Sequence, residues 1–345
     1  MNLYDLSLEE LTELVESWGE KPFRAKQIRD WLYKQKVSDP TLMSNLPQSL
    51  REKLSDQTRI GVLTPVKELH SSDGHTVKVL YRLNDDQLIE SVLMDYDDQR
   101  HTACISTQAG CAMGCVFCAT GQMGFARNLT AGEIVEQALW FARQLEQNGE
   151  RLSNIVMMGM GEPLHNYEAT MQAVELINAH NGLGIGQRHI TVSTVGLVPG
   201  IIRFADEGLQ VGLAVSLHAA TDDERSALIP INKKWNLPQL MDACRYYVKK
   251  TGRRITFEWA LIAGKTDTLI QAHALGRLIR HIHCHVNAIP LNPTGGYAGK
   301  PSDPQQVKAW QEVLGDYGVS STIRVRRGID IQAGCGQLKS EVLHL

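Results

Sequence analysis

The chain lacks the features that would place it in a membrane, outside the cell, or on nucleic acid by bulk charge. No run of about eighteen apolar residues occurs, so no segment could span a bilayer as a helix. The start, Met1-Asn-Leu-Tyr-Asp-Leu-Ser-Leu-Glu-Glu10, is acidic and has no apolar signal region. A cytoplasmic protein with reduced thiols is therefore expected. The formal net charge is −3, so any RNA would have to be held by local patches. The seven cysteines are an odd number, which argues against a disulfide framework in a chain of this size. No G-x-G-x-x-G turn opens a helix after a strand, which removes the dinucleotide-binding reading.

What is present suffices for one large core with a small unit beside it, since the chain has 345 residues and is 43% hydrophobic. Ser7 and Glu10 stand at capping-box spacing, ahead of Leu8, Leu11, Leu14, Val15 and Trp18 on one helical face. A second helix is expected over 24–35, burying Ala25, Ile28, Trp31 and Leu32, and a third carries Leu46, Leu50 and Leu54. Lys21, Arg24, Lys26, Arg29, Lys34 and Lys36 cluster along the second helix against only Asp30. Such a face docks on RNA or is simply solvated. Lys233-Lys234-Trp235, Arg253-Arg254 and the trio Arg324, Arg326 and Arg327 are the other basic candidates.

Near 65–95 the pattern changes to alternation round an Asp73-Gly74 turn, with Thr76-Val-Lys-Val-Leu-Tyr81 as one strand and a further strand ending at Met94. From Thr102 onward short apolar strands alternate with helical stretches. Strands are expected at 103–106, 154–158, 189–194, 212–217, 255–262 and 285–291, with helices at 131–147, 167–179, 237–250 and 268–282. Repeated βα units predict an α/β fold, a partial (βα)6 barrel whose ligands gather at the carboxyl ends of the strands.

Cys111, Cys115 and Cys118 form a C-x-x-x-C-x-x-C triplet just after the first of those strands. Three thiolates this close can hold an iron–sulfur cluster, but a cubane needs four to be saturated. One iron would stay open, and an open position is what makes a metal site reactive. A structural zinc would want a fourth Cys or His at ligand spacing, and no second pair follows.

Other polar residues sit where the barrel strands should end. The strand from Asn154 runs into Gly161 and Glu162, where glycine admits close approach to the backbone and the carboxylate can accept from an ammonium. Ser193, then Ser216 with Leu217 and His218, then Asn292 close the following strands. Each alone reads as a turn or cap residue; on successive units they point to one shared ligand. Cys335 lies in the small-residue loop Asp330-Ile-Gln-Ala-Gly-Cys-Gly-Gln-Leu338, which presents a thiol to another molecule. Cys104 reads equally well as a buried strand cysteine. Cys244 and Cys284 read as structural, as do His281, His283 and His285, which have no partner at ligand spacing.

The triplet and Gly161-Glu162-Pro163 resemble the radical S-adenosylmethionine superfamily. More closely, Cys104-Ile-Ser-Thr-Gln-Ala-Gly-Cys-Ala-Met-Gly-Cys-Val-Phe-Cys-Ala-Thr-Gly121, Met158-Gly-Met-Gly-Glu-Pro-Leu164, Ser216-Leu-His-Ala219, Pro230-Ile-Asn-Lys-Lys234, Leu291-Asn-Pro293 and Cys335-Gly-Gln-Leu338 resemble the RlmN/Cfr family of RNA adenine methyltransferases, nearer its RlmN branch. The likeness covers essentially the whole chain, including Phe23-Arg-Ala-Lys-Gln-Ile-Arg-Asp-Trp-Leu-Tyr33. It implies a helical RNA-binding accessory domain over 1–62, a β-rich hairpin linker over 63–100 and a radical-SAM partial barrel over 101–345. Gly334 stands where the family more often has alanine.

The resemblance also implies a mechanism. Cys111, Cys115 and Cys118 would hold one [4Fe–4S] cluster per subunit, whose free iron chelates S-adenosylmethionine. Gly161, Glu162, Ser193, Ser216, Leu217, His218 and Asn292 match the positions that bind that cofactor. Two S-adenosylmethionine molecules serve each turnover: one methylates Cys335, and the other yields a 5′-deoxyadenosyl radical that takes hydrogen from that methyl group. The carbon radical adds to C2 of adenine, a position that is neither nucleophilic nor acidic. Glu90 would accept the ring proton, although on strand pattern alone it reads as solvent-facing. Cys104 would then resolve the Cys335–methylene bond, leaving a transient disulfide.

The implied substrates are an adenosine in the peptidyl-transferase centre of 23S rRNA and the adenosine 3′ to the anticodon in tRNA. A flavodoxin or ferredoxin is the implied reductant, and the enzyme is expected to be a monomer. Two other readings differ from this one. A Cfr-type enzyme shares the motifs and methylates C8 of the same rRNA adenosine. A non-catalytic iron–sulfur or zinc RNA-binding protein would need neither Cys335 nor Cys104.

Overall fold

A computed structural model describes residues 1–339. Its amino-terminal helices are α1 (Leu8–Ser17), α2 (Phe23–Tyr33) and α3 (Gln48–Gln57). Ser7 and Glu10 form both bonds of the capping box that starts α1. The three apolar faces close over Leu11, Val15, Ala25, Ile28, Leu32, Leu46, Leu50 and Leu54. Trp31, expected inside, is only half-buried. Its indole N–H donates to Asn45 Oδ1 at 2.6 Å, which holds the polar edge at the surface.

An antiparallel meander follows: β1 (Thr64–His70), β2 (Thr76–Arg82), β3 (Leu88–Asp95) and β4 (His101–Cys104). Next come β5 (Gln108–Gly110), the short helix α4 (Ala119–Met123) and β6 (Phe125–Asn128); β5 and β6 pair as a ribbon that brackets the cysteine loop. The remaining elements are α5 (Ala131–Gln147), β7 (Asn154–Met157), α6 (Tyr167–Asn178), β8 (Ile190–Thr194), α7 (Val198–Asp206), β9 (Gly212–Ser216), α8 (Asp222–Leu228), α9 (Leu237–Thr251), β10 (Ile255–Leu261), α10 (Leu269–Ile279), β11 (Cys284–Pro290), α11 (Pro304–Asp316) and β12 (Ser321–Ile323). The expected barrel strands all appear, displaced by at most two residues at their ends. His281 and His283 precede β11, so only His285 lies in a strand.

One ten-stranded sheet runs in the order β1-β2-β3-β4-β7-β8-β9-β10-β11-β12. From β4 to β12 every neighbouring pair is parallel, and helices connect them, so this part is a partial (βα)6 barrel. The meander β1–β3 extends the same sheet rather than standing apart from it. Among the described residues no pairing joins β1 to β12, and the barrel is open.

Alternation along the parallel strands separates two environments. Ala103, Ile155, Val192, Leu213, Val215, Phe257, Trp259 and Val286 point outward and are fully buried under the helices. The residues between them point into the open barrel, and many of these are polar. A sheet covered by helices on one face normally packs its other face just as tightly. Here that face lines a lumen.

The amino-terminal unit is fastened to α5. Asp5 Oδ1 accepts from Gly132 N–H at 2.8 Å, and Arg143 donates to Tyr4 Oη at 2.8 Å and to Lys36 O at 2.8 Å. Gly132 permits this approach, because a Cβ there would lie 2.6 Å from Asp5 Oδ1 and 3.0 Å from Asp5 N. Gly132→Val should cost about 1–3 kcal/mol by overpacking, more than the few tenths its helix propensity returns. Urea unfolding should show a lower midpoint at unchanged slope; an unchanged midpoint would mean that the contact yields without cost.

Candidate active site

The lumen-facing row can be read from the register. Val92 pairs with Cys104, Cys104 with Val156, and Val156 with Thr191. Two residues on from Thr191 is Ser193; farther round, Ser216 pairs with Glu258, Glu258 with Asn287, and Asn287 with Thr322. Arg324 continues this face just past β12. Lys78 and Glu90 belong to it as well, because Lys78 pairs with Val92 and Glu90 lies two residues before Val92. The sheet thus brings Glu90, Cys104, Ser193, Ser216 and Arg324 to one concave surface. Gly161, Glu162, Leu217, His218 and Asn292 follow strand ends at its rim.

The cysteine loop crosses that rim. Cys111, Cys115 and Cys118 are reduced and half-buried. Burial pushes the Cys111 thiol up to about 12, and Cys115 is also raised, by burial first and then by Cys118 and Cys111. Neutral thiols packed together without sulfur bonds are a poor resting arrangement, and binding a metal removes their protons outright. Among the described residues no three His, Cys, Asp or Glu side chains converge as ligands of one ion. A closed tetrahedral zinc would want a fourth Cys or His beside the three thiols. A cubane, which holds its thiolates farther apart than one ion does, fits the donor set. The loop is tightly wrapped: a Cβ on Gly121 would stand 3.0 Å from both N and O of Cys115.

The rim residues are held by unusual backbone. Gly161 has φ +104°, and a Cβ there would strike the Gln108 side chain at 2.6 Å. His218 adopts φ +58°, which is uncommon for a residue with a side chain. Its Nδ1 accepts from Ala260 N–H at 2.9 Å, and burial together with Arg225 pushes its pKa down to about 3. The ring is therefore neutral with its proton on Nε2, and it packs edge-on against Phe117 at 5.0 Å. Glu162 is buried and its pKa is raised to about 7 by burial. Its two oxygens already accept from Leu164 N–H at 3.1 Å and Val195 N–H at 2.8 Å. Asn292 Oδ1 is buried and has no hydrogen-bond partner among the described residues. Ser193 and Ser216 are half-buried on the lumen face.

The loop of Cys335 is stitched to this same rim. Asn292 Nδ2 donates to Cys335 O at 3.1 Å, Ala119 N–H to Gly336 O at 2.7 Å, and Thr120 Oγ1 to Leu338 O at 2.6 Å. Ala119 follows Cys118, so the loop is bonded directly to the residues that end the triplet. Gly334 suits this closeness, since a Cβ there would lie 2.6 Å from Asn292 Nδ2. Cys335 is open to solvent at the mouth, yet protein surrounds its thiol on most sides and burial raises its pKa, against the pull of Arg324. Cys104 lies deeper and is pushed up to about 12 by burial, with Cys335 adding to the rise and Arg324 opposing it.

Glu90 is not solvent-facing. It is 3% exposed, receives Lys78 Nζ at 3.0 Å and accepts from Lys339 N–H at 2.9 Å, so it touches the segment that carries Cys335. Glu90 shares its face of β3 with Leu88, Val92 and Met94, and only the fold shows that this face looks into the lumen. Sequence reasoning also missed Lys78, Glu258, Asn287 and Arg225. Glu258 is 4% exposed and accepts from Asn287 Nδ2 at 2.9 Å. Arg324, grouped by sequence with a basic patch, instead influences Glu258, Cys335 and Cys104 inside the barrel. Alternation of charged residues on an otherwise apolar central strand, as at Glu258, was the signal available.

Known proteins with this architecture can now be set beside it. The crystal structure of a radical SAM methyltransferase from Sphaerobacter thermophilus superposes with a TM-score of 0.96 at 50% identity, covering 99% of this chain and 100% of that one. A profile of the Radical SAM superfamily matches residues 105–275, and one described as Ribosomal RNA large subunit methyltransferase N-terminal domain matches 1–60. Fold and site define a radical-SAM methyltransferase.

The dual-specificity RNA methyltransferase RlmN 1 of Myxococcus xanthus is 56% identical over 341 residues, 99% of this chain and 95% of that protein. A probable dual-specificity RNA methyltransferase RlmN of Clostridium perfringens is 48% identical over 98% of this chain and 96% of its own length. The chain belongs to the RlmN family of RNA methyltransferases. That family brings S-adenosylmethionine and an iron–sulfur cluster as cofactors. No helix among the described residues is long and apolar enough to cross a membrane.

The Glu90–Lys78 pair makes a pH prediction for the protein without cofactors. Burial holds Glu90 above the ordinary carboxylate range, and Lys78 opposes that rise. An acid whose pKa is raised on folding contributes stability below its unfolded value and loses it as pH climbs through the folded one. Lys78→Met removes the opposing charge and moves this loss to greater depth. Breaking a buried pair costs about 3–5 kcal/mol when the remaining charge stays ionised. The deficit of the variant should be large at neutral pH and shrink towards pH 4, as measured by urea unfolding across pH. A deficit independent of pH would show that the pair is not ionised.

Proposed function

We propose that this enzyme methylates C2 of an adenosine in the peptidyl-transferase centre of 23S rRNA and of the adenosine 3′ to the anticodon in tRNA, with Cys335 as the methyl carrier. The observation that carries this reading is the bonding of the Cys335 loop to Asn292 and to the residue after Cys118. These bonds to backbone carbonyls hold the loop, and with it the thiol, beside both the cysteine triplet and the strand-end rim. Cys111, Cys115 and Cys118 would hold one [4Fe–4S] cluster per subunit, and two S-adenosylmethionine molecules would serve each turnover. When bound, these cofactors supply the one-electron chemistry that activates the methyl group on Cys335.

The chain's own residues have definable tasks. Arg324 opposes the raised pKa of Cys335, which favours the thiolate that attacks the first sulfonium methyl group. That attack forms the Cys335 S–C bond, breaks the sulfonium bond and releases the thioether. Asn292 Oδ1, the free Nε2–H of neutral His218, Gly161 and the lumen faces of Ser193 and Ser216 offer contacts to the cofactor, with Leu217 and Glu162 setting the strand ends around it. Glu90 is held near the Cys335 segment by Lys78 and accepts the adenine proton. Cys104 then attacks Cys335 sulfur: an S–S bond forms as the Cys335 S–C bond breaks. The electron pair stays on the product carbon, which takes up a proton to become the methyl group, and an external reductant returns the disulfide to two thiols before the next turnover.

The helical unit over 1–62 is read as an RNA-binding accessory domain, the segment over 63–100 as its β-rich link, and the part over 101–345 as the catalytic barrel. A flavodoxin or ferredoxin would deliver the electron to a monomeric, cytoplasmic enzyme. The relatives named RlmN support C2 over the C8 position of a Cfr-type enzyme.

Nuclease digestion of 23S rRNA and tRNA treated with reconstituted enzyme should release 2-methyladenosine. Recovery of 8-methyladenosine would move the assignment to the Cfr reaction, and recovery of neither would sink the reading. Separately, Cys104→Ala should stall with RNA covalently attached at Cys335, visible as a slower band that nuclease trims. Turnover at the wild-type rate would remove Cys104 from the resolving role.

A further inference from the structure

Arg225, on α8, is fully buried and fits poorly with ordinary accounts of a buried charge. Its Nε donates to Leu217 O at 3.1 Å, Nη1 to Asn232 Oδ1 at 2.9 Å, and Nη2 to Val195 O and Ser216 O, the latter at 3.2 Å. Every one of these acceptors is neutral. Among the described residues no carboxylate stands within ion-pair reach of it. Asp222, at the start of its helix, has its Oδ1 taken by Asn232 Nδ2 at 2.9 Å and Leu237 N–H at 2.8 Å. A guanidinium does not shed its proton in proteins. A full positive charge therefore sits in the interior without a counter-ion, an arrangement that costs several kcal/mol unless something anionic is supplied.

The surroundings indicate what supplies it. The cysteine loop is bound to the end of α8, with Val116 N–H donating to Leu228 O at 3.1 Å and Gly114 resting on the Pro230 ring. The carbonyls that Arg225 gathers belong to the ends of β8 and β9, which carry Thr194-Val195 and Ser216-Leu217. The guanidinium thus lies beneath the rim, between the strand ends and the cysteine loop.

We propose that Arg225 is the buried counter-cation of the iron–sulfur centre, a positioning residue whose charge favours assembly of the cluster and stabilises its reduced state. This inference rests on the cluster reading of Cys111, Cys115 and Cys118. A cluster held by three thiolates is anionic and gains one more negative charge on reduction. A fixed positive charge nearby in a low-dielectric site lowers the energy of the reduced form more than that of the oxidised form. The reduction potential therefore rises towards that of the donor. The neutral hydrogen bonds of Arg225 follow from the same role: a carboxylate partner would cancel the charge that the cluster requires.

The test compares wild type, Arg225→Lys, Arg225→Gln and a double swap, Asp222→Asn with Asn232→Asp. The swap keeps the total charge and the hydrogen bond between the two side chains, but moves the carboxylate into contact with Arg225. Each protein is reconstituted anaerobically, its iron and sulfide are measured, and the cluster is titrated by EPR without S-adenosylmethionine or RNA. Arg225→Lys should stay close to wild type. Arg225→Gln and the double swap should each disfavour reduction about tenfold, which for one electron is about 59 mV in the negative direction. If potential is unchanged in both, or if Lys and Gln shift alike, Arg225 is only a structural hydrogen-bond donor. Should Arg225→Gln fail to fold, the double swap, which retains Arg225, decides the matter. Wild-type protein that binds no iron and sulfide would instead overturn the cluster reading itself.

Discussion

Strand register is the constraint on which the rest of this protein depends. From β4 to β12 the ladder is parallel, so residues that pair across it face the same side of the sheet. One set of alternate residues is sealed beneath the helices; the other is left looking into an open barrel. A slip of one residue in any strand would send an apolar side chain into the lumen and a polar one into the core. The full burial of Ile155, Val192, Val215, Phe257 and Trp259 prevents this, and it is these outward residues that fix where Cys104, Ser193, Ser216 and Glu258 point. The site is specified by side chains that never touch it.

The lumen then accepts charges that an ordinary core would reject, each with a different form of compensation. Glu90 has an ionic partner in Lys78 and a backbone donor in Lys339. Glu258 has one amide partner, Asn287, and the more distant charge of Arg324. Glu162 has two backbone donors and the Thr194 side chain, and Arg225 has backbone carbonyls and one side-chain amide. Among the described residues neither of the last two has an ionic partner, and they flank the cysteine loop. Departures from local electrostatic consistency are expected to collect at functional sites, where a ligand completes the balance.

Sequence pattern revealed the repeated βα units and the cysteine triplet because both are local: periodicity and spacing within a few residues carry them. The short elements β5, β6, α4, α8 and β12 were missed, since three to seven residues leave too little pattern to separate from loop, while α7 and α11, of nine and thirteen residues, were not named although their length carries a helical period. Glu90 was misread for a different reason. It shares its face of β3 with Leu88, Val92 and Met94, so the strand shows no apolar–polar alternation, and a lone carboxylate in it reads as a surface residue until the sheet is seen to curl. Its partner Lys339 lies 249 residues away, beyond any local signal. Arg324, Arg326 and Arg327 look like one basic patch in sequence. The strand end divides them: Arg324 turns into the barrel, Arg326 is exposed, and Arg327 lies over the Tyr96 ring at 4.7 Å.

The placement of Cys335 near the end of the chain has a physical consequence. Its loop belongs to no helix or strand, so it borrows its position from α4, Asn292 and Lys78, which donates to Gln332 O at 3.3 Å. Backbone carbonyls accept most of these bonds. They hold the path of the chain while leaving the thiol free of obligate side-chain partners. A carrier that must meet a cofactor, then a base, then Cys104 benefits from that arrangement, because its backbone stays registered while its side chain samples rotamers. Because two of the anchors, Ala119 and Thr120, follow Cys118 directly, whatever orders the cysteine loop also orders the carrier. The carrier is thereby held in place by the same residues that would bind the centre it depends on.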